Sequence, residues 1–254
     1  MIKLYKLIIA YDGTDFLGWQ EQDNLPTICN ELKRSFRSVF KDEISIVGAS
    51  RTDGGVHAEG QVARVRTKLD IDPEKLKIVW NRRINEAIVI KDIERCDESF
   101  HPQKNVLEKK YIYKIFTQKP FPTIQRFGLY YDYPIDIKKL RDALNVFVGT
   151  HDFRSFCTGH DMKSTIRKIN KIDIEEFQEP NGAGEITGIK IIFYGESFLR
   201  YMIRRIVGAC VEVSSKKNTT IDILIKALAQ KSPQQSLENA PAKGLTLDSI
   251  KYRN

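Results

Sequence analysis

The segment Gly48-Ala49-Ser50-Arg51-Thr52-Asp53-Gly54-Gly55-Val56-His57-Ala58 concentrates more potential chemistry than any other stretch of this 254-residue chain. Arg51 and Asp53 are two residues apart, so on an extended backbone they point to the same side. A guanidinium nearby keeps a carboxylate ionised, as a nucleophile requires. The glycines let the backbone approach a ligand closely. The same residues also suit an ordinary hairpin, because Asp-Gly between strands is a strong turn signal.

Two other stretches carry charge in suggestive places. In Phe198 to Val213, Arg200 and Arg204 are four apart and share a face if the stretch is helical. A solvated basic face is one reading. The other starts from Phe198, Leu199, Met202, Ile203, Ile206 and Val207, which make a largely buried helix whose arginines need a carboxylate or phosphate. Asp53 is such a partner if the two halves of the chain face each other. In Lys109-Lys110-Tyr111-Ile112-Tyr113-Lys114 the tyrosines fall at period two, on one face of a strand. Aromatics on an open sheet with basic flanks stack RNA bases; tyrosines packed under a helix are the alternative.

Other chemistries find little support. His57, His101, His151 and His160 are scattered, so neither a metal site nor a Ser/His/Asp triad can be drawn from them. Cys29, Cys96, Cys157 and Cys210 form no C-x-x-C pair, which fits reduced, mostly buried thiols rather than a disulfide or zinc framework. Gly182-x-Gly184 reads as a turn, and no phosphate-binding P-loop is present. No metal and no cofactor is expected.

Composition sets the frame. With 41% hydrophobic and 29% charged residues, a disordered tail or a collagen-like fibre is excluded. The 41 Lys+Arg against 33 Asp+Glu leave a net charge of +8, which suits a polyanionic partner. The basic face of the first helix (Lys33, Arg34, Arg37, Lys41) and the interleaved Lys110 supply the RNA-contact candidates Lys33, Arg37 and Lys110. The longest apolar stretch is broken by three arginines, so no membrane span is expected. The start shows no apolar run ending in a cleavage site, so export is not signalled and a cytoplasmic location is expected.

The elements that would position these residues follow from periodicity and caps. Residues 3 to 11 read as a buried strand, Pro26 and Thr27 open a helix with Ile28, Leu32, Phe36, Val39 and Phe40 on its apolar face, and a strand at 44 to 49 follows. A Gly-rich loop spans 50 to 60, then a strand at 61 to 67, a helix from Pro73 to about 84, and a strand near 87 to 95. The second half reads as a strand at 110 to 116, a helix capped by Asp136 and closed by Gly149, and strands at about 168 to 177 and 186 to 194. A helix from Ser197 through Val213, another at about 221 to 230, and a strand at 245 to 252 complete it. Residues 120 to 134 and 179 to 184 read as loops. The simplest architecture is α+β, two tandem β-α-β-β-α-β (ferredoxin- or RRM-like) units over residues 1–104 and 105–254, the first carrying the Asp53 loop and the second the Tyr strand and Arg helix.

Taken together, the motifs resemble the tRNA pseudouridine synthase A family. The likeness runs through Tyr11-Asp12-Gly13-Thr14, Phe16-x-Gly18-Trp19-Gln20, Arg51-Thr52-Asp53-x-Gly55-Val56-His57-Ala58 and Phe100-His101. It continues through Lys110-Tyr111-x-Tyr113, Gly149-x-His151-Asp152-Phe153-x-Ser155-Phe156, Phe198-Leu199-x-x-Met202-Ile203-Arg204-x-Ile206-Val207-Gly208 and Ala240-Pro241-Ala242-x-Gly244-Leu245-x-Leu247. The resemblance implies a cofactor-free isomerase that turns uridine into pseudouridine in the anticodon stem-loop of tRNA, at positions 38 to 40. It implies a homodimer whose two subunits contact one tRNA, and sheets that form a central antiparallel platform with the active-site cleft between the halves. By the same likeness Asp53 is the catalytic carboxylate, and Arg51, Tyr111, Arg204 and Leu245 bind substrate: Arg51 holds the target nucleotide flipped out, Tyr111 lies against the uracil, and Arg204 pairs with the aspartate. Ser50 and Gly54 stand where the family usually has Gly and Ala, and Pro102-Gln103 where it more often has Ala-Arg.

Overall fold

The computed structural model describes residues 2–159, 164–182, 184–232 and 238–253. His160 and Ala183 lie outside the described residues. The chain divides into two units, one running up to Leu107 and taking in the residues from Thr246 onward, the other spanning Glu108–Leu245.

The first unit opens with β1 (Lys3–Tyr11), α1 (Ile28–Phe40), β2 (Ser45–Gly48), β3 (His57–Thr67), α2 (Pro73–Asn81) and β4 (Ile88–Arg95). Its strands lie in the order β4-β1-β3 with β2 on β3, every neighbouring pair antiparallel. Both helix starts are set by side-chain caps. Thr27 accepts from the Asn30 N–H at 3.2 Å, and Asp72, just before Pro73, accepts from that of Lys75 at 3.0 Å. Helix α1 buries Ile28, Leu32 and Phe36; the Phe36 ring meets Trp80 of α2 edge-on at 5.0 Å, and the Trp80 indole N–H donates to Ser35 Oγ at 2.9 Å. Asn81 ties α2 to β4, exchanging two 2.9 Å bonds with the Ile90 backbone.

The second unit contains β5 (Val106–Phe116, its first two residues belonging to the first unit), β6 (Leu129–Tyr130), α3 (Ile137–Asn145), β7 (Gly149–Asp152), β8 (Ile166–Asn181), β9 (Gly184–Gly195), α4 (Met202–Ser215) and α5 (Asp222–Gln230). Its strand order is β5-β9-β8-β7, with β6 alongside β5. Asp136 caps α3 through the Lys139 N–H at 2.9 Å. The core gathers Phe147, Phe153 and Phe156 with Leu140 and Leu144, all nearly inaccessible to solvent. Ser155 fastens this core to α5, donating to the Ala227 carbonyl at 2.5 Å and accepting from the Ser232 N–H at 3.0 Å.

The last strand, β10 (Leu245–Tyr252), passes back to the first unit. It pairs in parallel with β3 (Thr246 opposite His57, Leu247 opposite Ala58), and Tyr252 packs its ring against Phe100 and donates to the Pro102 carbonyl at 2.8 Å.

Several boundaries differ from those the sequence suggests. The helix expected from Ser197 begins at Met202, because Tyr201 takes a left-handed conformation (φ 62°) at its N-cap and turns the chain just after Arg200. Strand β3 begins at His57 rather than 61, which shortens the Gly-rich loop, and α2 stops at Asn81. Residues 179–181 and Gly184, expected in a loop, are paired strand at the end of a long β8–β9 hairpin. Gly149 opens β7 rather than closing α3.

Candidate active site

The Ser50–Val56 loop leaves the sheet at the end of β2. The Ala49 N–H still reaches the Val62 carbonyl at 2.8 Å, but beyond it the ladder is replaced by side chains. Thr52 turns inward and is 7% exposed; its hydroxyl shares a buried 2.7 Å hydrogen bond with the Tyr11 hydroxyl, and its carbonyl accepts from the Trp19 N–H at 3.1 Å. With Thr52 pinned inside, its neighbours Arg51 and Asp53 are turned the other way: Arg51 is exposed and Asp53 half-buried. The loop closes with the Val56 N–H on the Asp53 carbonyl at 3.2 Å and the Gly55 N–H on the Phe16 carbonyl at 3.1 Å.

The Tyr11–Gln20 stretch is therefore the cradle of this loop. Gly18 sits at φ 95°, and a Cβ there would fall 2.6 Å from the Thr52 carbonyl oxygen. Only glycine satisfies both demands. The Gly13 N–H donates to His57 Nδ1 at 3.1 Å, and Asp12 accepts from the Thr14 backbone and hydroxyl, so the first motif folds onto the start of β3. Gln103 reaches the end of β2, donating from Nε2 to the Gly48 carbonyl at 2.9 Å.

In the second unit the alternation of β5 puts Lys109, Tyr111, Tyr113 and Ile115 on its buried face. Tyr111 meets the Phe198 ring edge-on at 5.3 Å. Tyr113 is a packing residue: it is fully buried, its hydroxyl donates to the Pro241 carbonyl at 2.8 Å, and its ring lies so close to Gly244 that a Cβ there would come within 2.5 Å. Lys109 shares this face at 8% exposure, and desolvation pushes its ammonium down to about 8 from an ordinary 10.5. Lys109 is thus in phase with the tyrosines rather than interleaved with them, whereas Lys110, half-buried, takes the opposite face.

Arg204, in the first turn of α4, donates from Nε to the Ala240 carbonyl at 2.8 Å, while its own carbonyl accepts from the Ala240 N–H at 3.1 Å. Its guanidinium lies 5.1 Å from the Tyr201 ring centre, and that of Arg200 lies 5.0 Å from the same centre. The two arginines thus bracket one tyrosine instead of sharing a helix face as the spacing suggests, since Arg200 precedes the turn and is exposed. Leu245, 6% exposed, follows Gly244 directly, so the Arg204 and Tyr113 bonds set the segment that delivers it to β10.

The RNA-contact candidates on α1 already carry partners. Lys33 pairs with Glu21 at 2.5 Å and Arg37 with Glu43 at 2.5 Å, so phosphates would exchange with carboxylates there. Burial pushes the thiols of Cys29 and Cys96 up to about 12 and about 11, and raises those of Cys157 and Cys210, so all four are inert at neutral pH. Among the described residues no group of three or more His, Cys, Asp or Glu side chains is placed to hold a metal ion, and no helix is long and apolar enough to cross a membrane.

A family model for tRNA pseudouridine synthase matches residues 7–103 and 143–253, two segments that include Arg51, Asp53, Arg204 and Leu245; Tyr111 falls between them. A tRNA pseudouridine synthase A of Thermodesulfovibrio yellowstonii is 35% identical over 253 residues, covering 97% of this chain and 98% of that one. One from a Geobacillus species is 35% identical over 257 residues and the full length of both. One from Leuconostoc mesenteroides is 34% identical, covering 98% of each. The chain therefore belongs to the tRNA pseudouridine synthase family of isomerases.

Proposed function

We propose that this chain converts uridine to pseudouridine in the anticodon stem-loop of tRNA, at positions 38 to 40, with Asp53 as the catalytic carboxylate. The observation that carries the reading is the inward anchoring of Thr52, which turns Arg51 and Asp53 away from the core on a loop with little freedom to move. The relatives named above carry tRNA pseudouridine synthase in their names.

The reaction breaks the N1–C1′ bond, turns the uracil, and rejoins it through C5. N1 ends with a proton and C5 loses one, so the product is an isomer and no co-reactant is consumed. A stacked base cannot turn in place, so the nucleotide must first be extruded at a cost of a few kcal/mol. Arg51, exposed beside the carboxylate, offsets that cost by filling the vacated space. Asp53 then either attacks C1′ or removes a sugar proton. Tyr111 lies against the detached uracil and, with Leu245, keeps it within rejoining distance, while Arg204 supplies fixed positive charge.

Lys33, Arg37 and Lys110 contact the RNA backbone. Ion pairs as exposed as Arg37–Glu43 are worth little, so exchanging the carboxylate for a phosphate costs little. The same reading takes the two units as tandem copies of one plan, because β5-β9-β8 repeats the order in which β1, β3 and β2 pair. It further makes the protein a cytoplasmic homodimer.

The test is to incubate purified protein with tRNA transcripts, without metal or nucleotide, and to map pseudouridine by carbodiimide-dependent reverse-transcription stops. Stops at positions 38 to 40 that vanish with Asp53→Ala are expected. Salt-sensitive tRNA binding with no stops would contradict the reading.

A further inference from the structure

Gln61 is a polar side chain with no exposed surface, placed on β3 opposite Ile9 of β1. An amide in that position must find partners for both its donor and its acceptor. It finds both on one residue: the Ser50 N–H donates to Gln61 Oε1 at 3.1 Å, and Gln61 Nε2 donates to the Ser50 carbonyl at 2.7 Å. These are the two bonds that a backbone neighbour in an antiparallel ladder would supply. They occur one residue past Ala49, whose N–H makes the last backbone bond to β3 at the Val62 carbonyl.

We propose that Gln61 is a positioning residue for the reaction. Its side chain stands in for a missing strand and holds the Ser50 peptide in ladder geometry, so that Arg51 starts from a fixed direction and Asp53 arrives at a fixed place. The next anchor, Thr52 on Tyr11, then acts on a chain whose direction is already set. Without the amide, the Ser50 peptide loses two of the bonds that fix it, and the carboxylate gains freedom that a bond-forming step does not tolerate. A displacement of about 1 Å is enough to cost on the order of a hundredfold in rate. The inference rests on the assignment of Asp53 made above.

The test uses two variants of the full chain acting on tRNA. Gln61→Leu removes both bonds; kcat is expected to fall about a hundredfold while KM for tRNA stays within about twofold. Gln61→Glu keeps the shape. As a carboxylate it can accept from the Ser50 N–H but repels the Ser50 carbonyl, whereas protonated it restores both bonds, and burial raises the pH at which it protonates. The kcat ratio of Gln61→Glu to wild type is therefore expected to climb as pH falls from 8 to 5.5. The titratable groups of the loop and its cradle, Asp12, Arg51, Asp53 and His57, are the same in both proteins, so the ratio reports residue 61. A purely structural role would lower the melting temperature without this kcat-only, pH-reversible signature. A folded Gln61→Leu with wild-type kcat, or a ratio flat with pH, overturns the proposal; if Gln61→Leu does not fold, the Gln61→Glu ratio decides alone. Asp53→Ala is run beside them: turnover surviving that change defeats the catalytic assignment, whereas an inactive Asp53→Ala beside fully active Gln61 variants defeats only the clamp.

Discussion

The Ser50–Val56 loop and the Ala240–Leu245 segment are both irregular backbone next to candidate substrate residues, yet they are held in opposite ways. The loop is gripped by groups that do no chemistry: the Gln61 amide, the Tyr11 hydroxyl through Thr52, and backbone from Phe16 and Trp19. The second segment is gripped by a candidate substrate residue itself, since Arg204 binds the Ala240 carbonyl, with Tyr113 of the Tyr111 strand holding Pro241. In the first region, function and stability can be separated by substitution; in the second they are coupled.

The strongest way to sharpen that contrast is Arg204→Ala. It removes a charged donor from a half-buried site, so stability is expected to drop by about 2 kcal/mol in urea denaturation, together with a fall in turnover on the order of a hundredfold. Wild-type stability with lost activity would break the coupling.

Next in size is the charge that the tyrosine strand carries. Lys109 is held at about 8 in the folded protein against 10.5. Between those values the unfolded chain binds more protons, so stability rises with pH through that window, and the penalty is fully present below pH 8. Lys109→Met lacks the penalty, so its advantage over wild type should be largest below pH 8 and shrink by about 3 kcal/mol towards pH 10.5. A difference that does not change with pH would contradict the assignment.

The smallest effect is expected at Gly54. A Cβ there meets Leu17 backbone at 3.4 Å or more, ordinary contact, and no left-handed backbone is required. Gly54→Ala should leave turnover unchanged and raise stability by about 0.5 kcal/mol. A marked loss would show that the loop is less tolerant than its anchors suggest.

Much of this was readable from residue order. Local signals announce α1, α2 and α3: Thr27 and Asp136 bond within three residues of themselves, and Pro73 opens α2. The anchors that make the loop a site were not visible, because Tyr11 and Thr52 are 41 residues apart and nothing in either neighbourhood names the other. Gln61 looks like any polar residue in a strand until its burial is known. The start of α4 is not legible in the sequence because apolar periodicity runs on through Tyr201, and only the backbone reveals the left-handed turn there.

The central claim is that Asp53 performs the chemistry on a loop that stands without its carboxylate. It is tested most directly with tRNA carrying tritium at uridine C5, the position that loses its hydrogen when the new bond forms. Wild type should release the label stoichiometrically with its target uridines, whereas Asp53→Ala should release none while binding the tRNA and melting within about 1 °C of wild type. Release by Asp53→Ala at a comparable rate, or its collapse as a folded protein, would contradict the account.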